Sequence, residues 1–360
     1  MQITFFSLFM SVIWSSFLVI FNHFCRKKHF FIRQLGITNI LFLYLFSVIR
    51  MMIPYEFSFT RVIPPQDVLN NLFRDISINK PAMQISIFSV LAAIWGAISA
   101  ILIVCFVFKY VRAMRKFSTY NIRKDAQCCH IFNRVLNVSK TQMKIAIRSS
   151  SDINIPISVG IFRKSIILPD QDYSDSELYY ILLHEYTHFQ NKDLIIKILI
   201  NIYGCIFWWN PAIYLLKKDL SQILEIKCDL DVTDNMANQN KAEYLETIVT
   251  MLRNAGAKKR EIAFYGTTAF VSRDCDTEII ERFQLVSAGY GYNKKSVLVT
   301  GSWFFIFSML ISLSYSFVIR PDYGTSMTSV GTNSEAPKPT GNSYSIECID
   351  DTYYVYFHEQ

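Results

Sequence analysis

Ile181-Leu182-Leu183-His184-Glu185-Tyr186-Thr187-His188 is the stretch on which the reading of this chain turns. On a helix, residues four apart share a face, so His184 and His188 can grip one ion. Glu185 stands one step round, close enough to act on a water at that ion, which is the arrangement an HExxH zinc site requires. The setting is helical. Ser174 with Glu177 three residues later reads as a capping box, and Leu178, Ile181 and Leu182 supply an apolar face. Two ordinary polar histidines on an amphipathic helix would give the same five letters, so the pattern needs support from the rest of the chain.

Of the 360 residues, 51% are hydrophobic and 15% aromatic, and the mean hydropathy is +0.24. Only 18% are charged, against roughly 25% in soluble domains. This composition points to a membrane protein. The formal net charge of +7 is accounted for by basic residues beside apolar runs, so direct binding of nucleic acid is not expected. The eight cysteines show no CxxC spacing, which argues against a disulfide framework or a cysteine zinc site.

Residues 2–21 are apolar and long enough to cross a bilayer, and Arg26, Lys27, Lys28 and Arg33 follow them. Basic residues after the apolar run, rather than before it, exclude a signal peptide and place the N-terminus outside. Residues 36–53 return outward, 54–84 form a proline-containing external loop, and 85–108 come back in to Lys109, Arg112, Arg115 and Lys116. A fourth run, 297–319, follows Lys294 and Lys295 and leads out again.

Between the third and fourth spans lies a domain-sized cytosolic piece. It begins with a mixed helix at about 119–137, after which three strands are expected: Lys144–Arg148, Ile155–Phe162 and Ser165–Pro169, the last two joined at Arg163-Lys164. An edge of that sheet could pair with an extended substrate, or the sheet could simply roof the helix. Residues 194–209 are apolar but carry Lys197 and Asn201, and Asn210-Pro211 then breaks one helix and starts another. Each half is too short to span cleanly, so a buried or membrane-apposed pair is expected, with Phe207-Trp208-Trp209 suited to an interface or to core packing.

Catalytic zinc sites usually take three protein ligands and keep a fourth position for water. The best third candidate is Glu225. Asp229 lies one turn on along the same face and can reach back to a histidine ring nitrogen, while Cys228 falls on the flank and reads as a small core residue.

His184-Glu185-x-x-His188 with Asp193, then Phe207-Trp208-Trp209-Asn210-Pro211, then Glu225-x-x-Cys228-Asp229, resembles the peptidase module of the BlaR/MecR-type membrane metallopeptidases, which are gluzincins. Pro156-x-x-x-Gly160 and Ile167-Leu168-Pro169 are similar as well, and the resemblance covers roughly residues 1–320. It implies one zinc ion per chain held by His184, His188 and Glu225, with Glu185 as the catalytic carboxylate and Asp193 and Asp229 as supports.

The fold class expected is therefore an α-helical membrane protein with a cytosolic α+β zinc metallopeptidase (gluzincin-like) domain. Residues 1–118 hold three transmembrane helices, 119–296 the peptidase domain, 297–319 the fourth helix and 320–360 a short external tail. The cell membrane is the expected location, with both termini outside. The sensor members of the resembled family carry a large external penicillin-binding domain. The tail here ends in a possible hairpin around Asp350-Asp351 and has no Ser-x-x-Lys, so beta-lactam sensing is not carried over.

The function implied is a zinc-dependent endopeptidase that cuts a cytosolic, repressor-like regulator or itself, with residues 253–281 as a candidate self-cleavage segment. Alternatives are a constitutive protease of exported peptides or membrane proteins, and a non-catalytic receptor or scaffold. Protein or peptide substrates and the lipid bilayer are the expected partners, and a homodimer is compatible with the sequence.

Overall fold

In the computed structural model the described residues are 4–28, 31–32, 35–63, 87–139, 141–234, 236–257, 275–287, 297–320, 344–349 and 352–357. Helices occupy all four expected spans: α1 (Phe5–Arg26), α2 (Ile37–Met52), α3 (Ile87–Ser118) and α10 (Val297–Ser316). By length and composition Phe6–Arg26 and Ser89–Ser118 can cross a membrane, while Ile37–Met52 and Gly301–Ser316 are shorter apolar helices. α2 is short because Gly36, at φ +77°, stands at its start. Its 16 residues rise about 24 Å, less than a bilayer core of about 30 Å.

One end of the helical group gathers the start of α1, the end of α2 and the end of α10. There β1 (Arg61–Ile63), from the first part of the expected external loop, pairs in parallel with β6 (Phe317–Ile319). Thr60 Oγ1 donates to Tyr315 O at 2.8 Å. The rest of that loop, 64–84, lies outside the described residues.

α3 runs past the expected end of its span and carries its basic residues as one continuous helix to Ser118. That extension packs Ala113 and Phe117 against Ile153, Ile157, Val159 and Ile167. The last three belong to a sheet of four strands in the order β2 (Asn121–Ile122), β3 (Ala146–Ser150), β5 (Ser165–Pro169), β4 (Ile157–Val159). β3 and β5 are parallel, and β4 runs antiparallel to β5 as an edge. The second expected strand is cut to three residues because Gly160, at φ +85°, turns the chain. A Cβ there would come within 2.1 Å of Arg163 O.

The first helix of this region is shorter than expected. Asp125 caps α4 (Ala126–Val138) by accepting from Cys128 N at 3.2 Å, and the residues before it include β2. On the other face of the sheet, Ile147, Ile166 and Leu168 join one core with α4 and with α5 (Asp175–Asn191).

α5 starts at the expected capping box: Ser174 Oγ accepts from Glu177 N at 3.2 Å, and Glu177 Oε2 accepts from Ser174 N at 2.9 Å. It ends at Lys192, whose φ of +60° makes it the one non-glycine residue in the left-handed region among the described residues. α6 (Asp193–Ile206) begins immediately, and Asn210 then caps α7 (Pro211–Thr233), with Pro211 in its first turn. α8 (Asn238–Ala257) and α9 (Cys275–Ser287) follow. The candidate self-cleavage segment is thus helical at 253–257 and 275–281, and its middle, 258–274, lies outside the described residues.

The α6–α7 pair packs against α1, α2 and α3. Ile200, Tyr203, Phe207, Ala212, Ile213 and Leu216 share one core with α1 and α2. Trp95 Nε1 and Ser99 Oγ, midway along α3, donate to Ile206 O at 2.6 and 3.2 Å, and Asn210 Nδ2 donates to Ser16 Oγ on α1 at 2.8 Å. The last carbonyl of α6, that of Ile206, is thereby satisfied inside protein. The tail hairpin is present as β7 (Tyr344–Ile349) and β8 (Thr352–Phe357).

A lysine in the left-handed region costs about 1–2 kcal/mol relative to ordinary backbone. Lys192→Gly should leave unfolding stability in detergent unchanged or raise it, and Lys192→Val should lower it by a similar ~1–2 kcal/mol. A tolerated Val would mean that the backbone turn at this position is not needed.

Candidate metal centre

The left-handed turn at Lys192 has an immediate chemical effect: it swings Asp193 back against the helix it has just left. Asp193 Oδ2 lies 2.7 Å from His188 Nδ1, with both side chains buried. The Nδ1 proton is therefore donated to the carboxylate, and Nε2 is left with its lone pair. His184 is held through the same ring position by a different route. Its Nδ1 is 2.8 Å from the Tyr244 hydroxyl on α8, which donates in turn to Asp229 Oδ1 at 2.6 Å. Asp229 Oδ1 itself is 3.4 Å from His184 Nδ1. The expected direct bond from Asp229 to the ring is thus mainly relayed by a tyrosine that the sequence did not single out.

Both rings consequently turn Nε2 toward the same point, 3.2 Å apart. Glu225 Oε2 completes a triangle, 3.6 Å from His184 Nε2 and 3.5 Å from His188 Nε2. Donors bound about 2.0–2.1 Å from a tetrahedral zinc stand roughly 3.4 Å from one another, so this donor set fits such an ion. The other Glu225 oxygen, Oε1, accepts from Lys197 Nζ at 3.0 Å. A lysine in an otherwise apolar helix thereby finds its purpose.

Cys228 is nearer than its expected flank position. His184, His188 and Cys228 each place a donor within 4.8 Å of the others. The thiol, however, lies on the Nδ1 side of His184, with Sγ 3.6 Å from Nδ1 and 3.4 Å from the His184 carbonyl, and it is wholly buried. Glu225 keeps 21% of its side-chain surface exposed, so the carboxylate side is the side open to a water and a substrate.

Glu185, 3% exposed, is tethered from the edge strand. Ser158 Oγ lies 2.7 Å from Glu185 Oε2 and 2.9 Å from its carbonyl oxygen. Alternation along β4 explains the meeting, since Ile157 and Val159 face α3 and Ser158 therefore faces α5. Arg282 on α9 adds a fork to Asp229, with Nε to Oδ2 at 2.5 Å and Nη2 to Oδ1 at 2.8 Å.

Four carboxylates (Glu185, Asp193, Glu225, Asp229) thus face two cations, Lys197 and Arg282. Burial alone would raise the Glu225 carboxyl, but Lys197 and the two histidines outweigh it and hold Glu225 well below the usual range. For Asp229 burial is likewise overcome, chiefly by Arg282. Burial disfavours charge on His184 and His188, yet Cys228, Asp229, Glu225 and Asp193 around them push both rings well above an ordinary imidazole. A cluster that draws protons onto its histidines this strongly is one that attracts positive charge.

Comparison with known proteins gives the family. The sequence model of the BlaR1 peptidase M56 family matches residues 10–285. The methicillin resistance mecR1 protein of Staphylococcus aureus is 30% identical over 150 residues, which is 39% of this chain and 25% of that protein. The regulatory protein BlaR1 of Bacillus licheniformis is 24% identical over 182 residues, covering 50% of this chain and 30% of the relative. BlaR1 of Staphylococcus aureus is 25% identical over 200 residues, covering 52% and 33%. The matched parts thus span a quarter to a third of these curated relatives. With a family match over most of its length, this chain is a member of the BlaR1 peptidase M56 family of metallopeptidases.

Proposed function

We propose that the protein is an integral membrane zinc endopeptidase of transmembrane signalling, with His184, His188 and Glu225 as ligands of one Zn2+. The observation that carries this reading is the triangle of two Nε2 atoms and one carboxylate oxygen at 3.2–3.6 Å, with Glu185 beside it. Bound there, zinc supplies Lewis acidity toward a scissile carbonyl and the attacking water.

The chain's own groups do the rest. Glu185 accepts the water's proton at its carboxylate and delivers it to the leaving amine. Ser158 aims that carboxylate, Asp193 and the Tyr244–Asp229 pair keep both rings in the Nε2-free tautomer, and Lys197 leaves Glu225 a single oxygen to offer. β4 is an edge strand carrying Ser158, so a substrate backbone added to that edge would lie over Glu185.

The substrate we propose is a cytosolic repressor-like protein or the chain itself. The regulatory names of the relatives support this choice, and so does the packing of α6 and α7 among the helices we read as membrane spans, which puts the site where those helices end. In this arrangement the site opens to the cytosol and both termini lie outside.

Terminal peptides compared by mass spectrometry in cells carrying wild type or Glu185→Ala test the activity. New ends found only with wild type, a cytosolic regulator's or the chain's own among them, are expected, and identical end sets would remove the proteolytic role. Zinc binding should also be proton-linked. Each ring proton displaced makes the affinity rise about tenfold per pH unit. Because both rings are held above their ordinary value, near 6.5, the rise should continue through pH 7. An affinity already flat above pH 6.5 would show that these histidines are not the ligands displaced.

A further inference from the structure

Two neighbouring residues on α9 point to opposite ends of the site's support. Glu281 accepts from Arg26 at the inner end of α1, with Oε1 3.1 Å and Oε2 3.3 Å from Nη1. Arg26 is 5% exposed and also reaches Asp219 Oδ1 at 3.2 Å and Gln222 Oε1 at 2.5 Å on α7. The next residue, Arg282, forks onto Asp229 and brings Nη1 within 3.9 Å of Glu225 Oε2. α9 therefore lies with one side chain in the joint between α1 and α7 and the next in the metal centre.

We propose that α9 is a clamp that completes the metal centre: Arg282 is a positioning residue that holds Asp229, and through Tyr244 the His184 ring, in ligating orientation, while Glu281 ties that hold to the inner end of α1. The inference rests on the zinc reading above and deepens it. Asp229 is 1% exposed and has two oxygens to satisfy. With Arg282 on both, Oδ1 stays where Tyr244 can donate to it, and the tyrosine oxygen remains available to His184 Nδ1. Without the fork, Oδ1 is free to close the 3.4 Å gap to Nδ1 and to pull the ring out of the donor triangle.

Coulomb's law alone gives the opposite sign, since a cation beside a zinc site repels the metal and its removal should tighten binding. Arg282→Lys separates the two effects, because it keeps the charge and loses the fork. The link to α1 makes metal affinity sensitive to a pair outside the centre. A shift of the first span's inner end would reach the ligands through two adjacent residues of one helix, with no change in the ligands themselves.

The test measures zinc affinity of the full chain in lipid nanodiscs by chelator competition, with thermal stability of the metal-free protein alongside. His184→Ala should abolish tight binding. Arg282→Lys should weaken it about 10- to 100-fold, the range for losing an outer partner of a ligand, at unchanged metal-free stability. Glu281→Gln should weaken it in the same direction by several-fold. Wild-type affinity in His184→Ala would overturn the zinc reading itself. Wild-type affinity in Arg282→Lys, with His184→Ala defective, would overturn the clamp alone, and wild-type affinity in Glu281→Gln would overturn its tie to α1. If Arg282→Lys does not fold, Arg282→Gln takes its place: weaker binding is expected from the lost fork, and wild-type or tighter binding, the Coulomb expectation, would overturn the clamp.

Discussion

Each histidine of the centre is gripped at Nδ1, and the rest of the site depends on that grip. An imidazole with a free choice of tautomer and rotamer presents either nitrogen in many directions. Here Asp193 and the Tyr244–Asp229 pair remove the choice, so two side chains one helical turn apart aim Nε2 at a common point. The first grip is built from backbone: a lysine forced into the left-handed region lets Asp193 reach a histidine only five residues before it. The second is built from tertiary structure, with Tyr244 and Asp229 arriving on separate helices.

Charge then decides what the point can hold. Four carboxylates against Lys197 and Arg282 leave a deficit of two, the charge of a divalent cation, in a setting with little water to screen it. An isolated buried carboxylate would shed its charge by protonation. Here each is paired or hydrogen-bonded, and Lys197 and Arg282 hold Glu225 and Asp229 below the usual carboxylate range. The fully buried Cys228 thiol faces the carbonyl of His184.

Local periodicity made a good part of this legible in the sequence. The i, i+4 relation of His184 and His188 and that of Glu225 and Asp229 are properties of single helices, and Ser174 with Glu177 marked where the first helix begins. The four apolar helices and the tail hairpin are similarly local. What the letters did not show arrives across elements. Ser158 meets Glu185 because two neighbours, Ile157 and Val159, turn the other way against α3. Tyr244 and Arg282 come from helices more than 50 residues along the chain from His184, and nothing in their surroundings marks them. Lys197 gave a partial signal, as a charge in an apolar helix, but its partner is fixed only by how α6 packs on α7. The helix expected at 119–137 was too long at its start because Asp125 caps it later, and the second strand was too long because Gly160 turns the chain.

The central claim is that the carboxylate of Glu225, and not the nearby thiol of Cys228, joins the two histidines on the metal. X-ray absorption at the zinc edge of the loaded full-length protein tests it most directly. The account predicts a shell of nitrogen and oxygen alone at about 2.0–2.1 Å, with two imidazole rings; a sulfur scatterer at about 2.3 Å would contradict it and make Cys228 the third ligand.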